Sequence, residues 1–223
     1  IFSRHATSVD LLVEVFDNDE SAIESYEFSL LPGYNQTGDI WHILLPLYWK
    51  KIRYGYCIDG KTDPQRVGTF FDAEITCIDP YCRMLVPRKW GEKSSYGAAP
   101  CCYIPEHNFD WQGETPLKIP LSETIIYEMH VRGFTRSPTS KSLFPGTYRG
   151  IIEKIPYLQS LGITAVELMP VAEFDENDNT FSHPDSGELL KNFWGYNSIN
   201  FFAVKSGYAA DTASHVKEFK EMV

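Results

Sequence analysis

Glu173, Asp175, Glu176 and Asp178 crowd four acidic side chains into one short stretch of the sequence. Hard oxygen ligands on a loop can hold calcium, but this spacing matches no calcium-loop rule. The competing reading, a solvated charged loop, is preferred, so no metal and no other cofactor is assigned; calcium is the only candidate considered. His130 and Arg132 alternate with Met129 and Val131. On a strand, one pair would face each side, and both polar residues are read as structural or supporting rather than catalytic. The five cysteines, Cys57, Cys77, Cys82, Cys101 and Cys102, are odd in number and lack the paired spacing of a zinc site. They read as reduced packing thiols, with the Cys101-Cys102 pair inert, which favours a reducing compartment.

Charge narrows the partners. Thirty acidic against twenty basic residues give a formal charge of −10. Basic clusters such as Arg88-Lys89 are short and scattered, so a polyanion such as nucleic acid would be repelled and a neutral polymer fits better. Aromatic residues make up 14% of the chain. Most will pack cores, but Tyr and Trp also offer the flat apolar face and polar edge that sugar binding needs. No apolar stretch approaches the roughly 20 residues that span a bilayer, and no signal peptide is visible. Ile1 lies in what reads as a strand and Val223 in what reads as a helix, so both ends are expected to be cuts.

The elements divide into two grammars. From 1 to 103 the apolar runs are short and broken by turn residues, as in an all-β, immunoglobulin-like sandwich. Val9, Leu11, Val13 and Val15 recur with period two. The run from Ile40 to Leu45 is expected to pair antiparallel with Ile52 to Ile58, and Asp59-Gly60 to close the next hairpin. Residues 104–120 are taken as a linker. From 121 to 223 the pattern becomes a βαβ unit: an apolar-rich run from Thr124 to Phe134, a helical period, and a second apolar run from Ile163 to Val171. The helix should bury Ile151, Ile152, Ile155, Leu158 and Leu161 and stop at Gly162, which can adopt a left-handed cap. Pro156 should either kink it or stand close to a helix start. The following strand should be covered on both faces, and Val216, Phe219, Met222 and Val223 should share one face of a last helix.

YEMHVRGFT at 127–135 and PGTYRGIIEKIPYLQSLGITAVELMPV at 145–171 resemble the first strand, first helix and second strand of the α-amylase superfamily barrel in its isoamylase form. NFWGYNSINFF at 192–202 resembles the isoamylase segment leading into the third strand. Upstream, TGDIWHILLP at 37–46, RYGYCIDG at 53–60 and IDPY at 78–81 resemble that family's carbohydrate-binding-module-like domain. The resemblance implies a β-sandwich followed by the first part of a (β/α)8 TIM barrel, truncated here. It also implies cleavage of α-1,6 branch linkages in starch, amylopectin or glycogen by a retaining mechanism, whose two carboxylates stand about 5 to 5.5 Å apart.

Those carboxylates belong to later barrel strands. No catalytic residue is therefore assigned here, and the fragment alone is expected to be inactive and prone to aggregate in its barrel portion. Tyr196 matches the family's tyrosine that stacks beneath the sugar ring being cleaved; the alternative is a buried structural aromatic. Trp194 stands open between shaping the cleft and packing at the barrel rim, and Gly195 between them permits close backbone approach. Trp41, Tyr54 and Tyr56 could form a glucan platform, but a core role is preferred. The implied partner is branched α-glucan, with homo- or hetero-oligomers of isoamylase subunits open. The implied compartment is a plastid stroma or a cytoplasm. The rival reading is a non-catalytic glucan-binding subunit that keeps every motif but has lost the carboxylates.

Overall fold

In the computed structural model, which describes residues 1–16, 22–45, 51–105 and 108–223, the period-two pattern near the start becomes strand β1 (Ala6–Phe16). Pro46, the last residue of one sequence motif, and residues 106–107 of the expected linker lie outside the described residues. Val9, Leu11, Val13 and Val15 are buried on one face of β1 while Asp10, Leu12 and Glu14 stay half-exposed on the other. Full burial of each such aliphatic side chain stabilises by about 1.5–3 kcal/mol.

The chain divides into two compact units, Ile1–Val86 with Ser94–Pro105, and Pro87–Lys93 with Glu106–Val223. In the first unit β1 pairs antiparallel with β2 (Ala22–Leu30) on one edge. The ribbon β3 (Gln36–Thr37) and β4 (Ile40–Trp41) comes next, then β5 (Ile52–Gly60), β6 (Thr76–Cys77), β7 (Met84–Leu85) and β8 (Cys102–Tyr103). Among the described residues the main sheet has six strands, in the order β2-β1-β5-β8-β7 with β6 also on β5. Trp41 packs on the buried face of β1 with Leu30 and Ile52.

Two sequence expectations fail here. Ile40–Leu45 does not pair with Ile52–Ile58: β4 turns back on β3 through Gly38 at φ 60°, and β5 spends its length on β1, from Val15↔Ile52 to Ala6↔Gly60. The long alternating strand is the better partner because its ladder satisfies the backbone groups along all of β5. Nor do Asp59-Gly60 form a turn; they end β5 opposite Ser8 and Ala6. Gly60 is needed there for room, since a Cβ would lie 2.6 Å from the His5 carbonyl oxygen and 2.8 Å from the Phe71 ring.

The second unit holds β9 (Ile126–Met129), α1 (Val131–Arg136), α2 (Tyr148–Ile152), α3 (Ile155–Ser160), β10 (Ala165–Leu168), β11 (Ala172–Phe174), β12 (Ser198–Val204) and α4 (His215–Met222). β9 and β10 pair in parallel from Ile126↔Ala165 to Met129↔Leu168, so the βαβ unit is present. Its helical segment is two helices rather than one. Thr147 starts α2 by accepting from the Gly150 amide at 3.2 Å, and α3 restarts with Pro156 in its first turn, where the missing N–H costs nothing. Gly162 ends α3 at φ 76° as a left-handed cap, its amide donating to Gln159 O at 2.9 Å. The buried face is narrower than the sequence pattern: Ile151 and Leu158 are buried, but Ile155 and Leu161 are exposed.

β10 is also less covered than expected, and Val166 is exposed, because among the described residues β9 is its only ladder partner. On α4, Phe219 and Met222 pack against the core of Met129, Val131, Tyr148, Phe174 and Tyr208. Val223 is exposed, and the fully buried residues of that helix are the polar His215 and Glu218. Glu218 is satisfied by the Ala210 and Asp211 amides at 2.8 and 2.7 Å. A further expectation fails at β9, which ends at Met129: His130 and Arg132 are not strand residues. His130 is the N-cap of α1, its Nδ1 accepting from the Gly133 amide at 3.0 Å, and Arg132 lies on that helix.

Candidate functional site

The acidic segment is not a solvated loop. Its first part is β11, paired antiparallel with β12, and this places Glu173 and Glu176 at 1% and 0% exposure. Lys205, which follows β12 and is itself 0% exposed, reaches between them, with Nζ 2.8 Å from Glu173 Oε1, 2.7 Å from Glu176 Oε2 and 2.7 Å from the Phe174 carbonyl. Arg88, buried in the segment Pro87–Lys93, adds a second cation 3.7–3.8 Å from Glu173, Asp175 and Glu176. The Ser206 amide and hydroxyl each donate to Glu173 Oε2 at 2.9 Å, and the Gly91 amide donates to Glu176.

Burial pushes the Glu176 carboxyl up, but the Lys205 ammonium and the Gly91 amide outweigh it and hold the group below the usual carboxylate range. The Glu173 and Glu176 carboxylates are thus engaged by the Lys205 ammonium, and Asp175 faces the Arg88 guanidinium. Asp178 alone of the four is exposed, held by the Asn197 side-chain amide at 2.6 Å. Arg88 and Lys205 escaped the sequence reading. A lone lysine after the apolar run SINFFAV was the available signal, because a cation in such a setting needs a buried partner.

Beside this cluster Trp90 stacks on Tyr208 with ring centroids 5.7 Å apart, and the Arg132 guanidinium lies over the Trp90 ring at 4.5 Å. Phe193 lies edge-on to Trp90 at 6.1 Å and stacks on His130 at 4.3 Å. From this packed layer the chain emerges as Trp194-Gly195-Tyr196. Trp194 is 55% exposed and Tyr196 71%, so Tyr196 is no buried core aromatic. Gly195 is itself buried, at φ 79°, and an added Cβ would stand 2.6 Å from the Phe174 ring. The turn is thus pressed onto the core with its two large aromatic side chains turned out. Tyr196 also lines an open, largely apolar depression with Leu168, Val171, Phe201 and Phe219.

In the first unit Trp41 is 1% exposed and donates its indole N–H to Ser3 O at 3.1 Å, a core position rather than a platform. Tyr54 and Tyr56 are half-buried against the same core. All five cysteines are free thiols. Cys82 donates to Met84 O at 2.8 Å, and the Cys102 thiol is pushed up to about 12 by its hydrogen bond with Cys101 and by burial, against the lowering effect of Cys82, which keeps it protonated.

The first unit is an antiparallel β structure, and the second contains a parallel βαβ segment and exposes an aromatic ledge. Residues 1–82 match the family of carbohydrate-binding module 48, described as the isoamylase N-terminal domain, and residues 122–221 match the α-amylase catalytic domain. Along its whole length the chain is 36% identical to chloroplastic isoamylase 1 of Arabidopsis thaliana, 38% to chloroplastic isoamylase 3 of Oryza sativa subsp. japonica and 36% to the glycogen debranching enzyme of Yersinia enterocolitica. It spans 30%, 30% and 34% of those proteins.

The fold agrees. The chain superposes over 100% of its length on 30% of the GBS pullulanase SAP, solved with maltotetraose, with a TM-score of 0.66 at 19% identity. The type I pullulanase of Bacillus subtilis, solved with maltose, also gives 0.66 at 19% identity, with 29% of that chain covered. The chain is thus similar along its whole length to isoamylases and glycogen debranching enzymes, with a match to the module 48 domain followed by a match to the α-amylase catalytic domain.

Proposed function

We propose that the protein carrying this chain is an α-1,6-glucan debranching hydrolase acting on branched α-glucan such as amylopectin or glycogen. The observation that supports it most is the ledge: Tyr196, solvent-facing and fixed by Gly195, lies in a chain that matches isoamylases and glycogen debranching enzymes end to end. In this reading the first unit is an immunoglobulin-like sandwich and the second opens a (β/α)8 barrel. Tyr196 stacks beneath the sugar ring and Trp194 walls the cleft, offering flat apolar faces that hold a ring without consuming its hydroxyls.

Hydrolysis is of the retaining kind, with both carboxylates on later barrel strands outside this chain. The chemistry requires no organic cofactor, and Lys205 does the neutralising between Glu173 and Glu176 that a bound cation would otherwise do. The plant relatives carry chloroplastic in their names, which favours a plastid for a plant source of this chain.

The test is release of linear chains from amylopectin by the full-length protein, with Tyr196→Ala and Tyr196→Phe beside it. The alanine variant should weaken glucan affinity about tenfold, equivalent to about 1.4 kcal/mol, and the phenylalanine variant should restore it, because the ring face does the work. No effect of Tyr196→Ala sinks the site. Binding without cleavage by the full-length protein moves the reading to a non-catalytic glucan-binding subunit.

A further inference from the structure

His130 joins the start of α1 to the loop that carries the ledge. The Gly133 amide donates to its Nδ1 at 3.0 Å, so that nitrogen is an acceptor and the ring proton sits on Nε2. Nε2 lies 2.8 Å from the Phe193 carbonyl oxygen and 3.1 Å from the Tyr208 hydroxyl. The imidazole also stacks on the Phe193 ring, centroids 4.3 Å apart and planes 11° from parallel, and meets Trp194 edge-on at 5.8 Å. Burial lowers the basicity of the ring, which keeps this single-proton form in place near neutral pH.

The Phe193 peptide is therefore held at its oxygen by a hydrogen bond and at its side chain by a stacked ring. Three residues on, Tyr196 is exposed. Between them, Gly195 occupies a left-handed conformation open to few alternatives under the Phe174 ring. Rotation of the Phe193 peptide would swing the whole ledge. We propose that His130 is a positioning residue for glucan binding: its Nε2–H to the Phe193 carbonyl sets the direction in which Trp194 and Tyr196 face the sugar. The proposal rests on the sugar-stacking reading of Tyr196.

Two substitutions separate this role from a structural one. His130→Asn keeps an acceptor where Nδ1 caps Gly133 but is too short to reach Phe193. His130→Gln places an amide N–H near the position of Nε2 but gives up the cap. Maltotetraose binding by the full-length protein is measured calorimetrically beside Tm. In His130→Asn, Kd for maltotetraose should rise about 10- to 100-fold, the cost of a misplaced binding group, with Tm near the parent's. In His130→Gln, Kd should stay near the parent's even as Tm falls. The proposal is overturned if His130→Asn binds as the parent does, or if Kd follows Tm across both variants. Should the Asn variant fail to fold, the Gln variant decides: retained affinity supports the role and a loss as large as that of Tyr196→Ala overturns it. Tyr196→Ala serves as the reference. If it too leaves Kd unchanged, the ledge reading has failed; if it weakens binding while His130→Asn does not, only the role of His130 has failed.

Discussion

Replacing Lys205 by Met tests the buried charge cluster most directly. The substitution keeps a long unbranched side chain and removes only the ammonium, leaving Glu173 and Glu176, at 1% and 0% exposure, with Arg88 no closer than 3.7 Å. Breaking a buried ion pair by removing one partner costs about 3–5 kcal/mol, and the remaining guanidinium argues for the lower end. At about 2–4 °C per kcal/mol for a chain of this size, Tm should fall by roughly 6–12 °C.

The deficit should depend on pH, with a definite sign. In the parent, Glu176 sits below its ordinary value, so it contributes stability above the unfolded carboxylate value of about 4.3 that is lost as pH falls through the folded value. Without Lys205, burial dominates and the folded value rises above the unfolded one. The variant is then worst near neutral pH and recovers relative to the parent as the Glu176 carboxyl takes up a proton. Urea unfolding followed by tryptophan fluorescence at pH 7.5 and 5.0 reads this, Trp90 lying 5.8 Å from the ammonium. A deficit under about 1 kcal/mol, or one equal at both pH values, would refute the assignment of a buried, ionised cluster. The triple change Lys205→Met, Glu173→Gln, Glu176→Gln should cost less than Lys205→Met alone, since it strands no charge.

Gly195→Ala should weaken glucan binding and lower stability by about 1–3 kcal/mol, because it adds strain at positive φ and a clash 2.6 Å from the Phe174 ring; calorimetric binding and thermal melts check both. Trp41→Ala should destabilise the first unit by about 3–5 kcal/mol, read as a lowered urea midpoint, with any effect on glucan affinity confined to unfolding. Affinity lost from a fully folded Trp41→Ala protein would return that residue to the platform reading.

Local geometry is legible in the order of the residues. Period-two burial along β1, the βαβ order, the interruption near Pro156 and the left-handed stop at Gly162 are all properties of a residue and its near neighbours, and each is seen in the structure. The sequence also carried the motifs by which the family was read, because those are contiguous strings. What it could not determine was partnership. β5 chose β1 over the nearer Ile40–Leu45 run because a long ladder outweighs a short loop, and that comparison is between segments distant in sequence.

The acidic stretch shows the same limit. Read locally, four carboxylates in six positions are a solvated loop; in the fold, Glu173 on β11 and Glu176 just after it are buried against cations from positions 88 and 205. His130 looked like a strand residue because its neighbours alternate, but a single hydrogen bond from Gly133 starts a helix there and sends its other nitrogen to Phe193, 63 positions away. Burial of a charge or a ring nitrogen is set by whatever the chain brings to it from elsewhere, and only the tertiary structure contains that information.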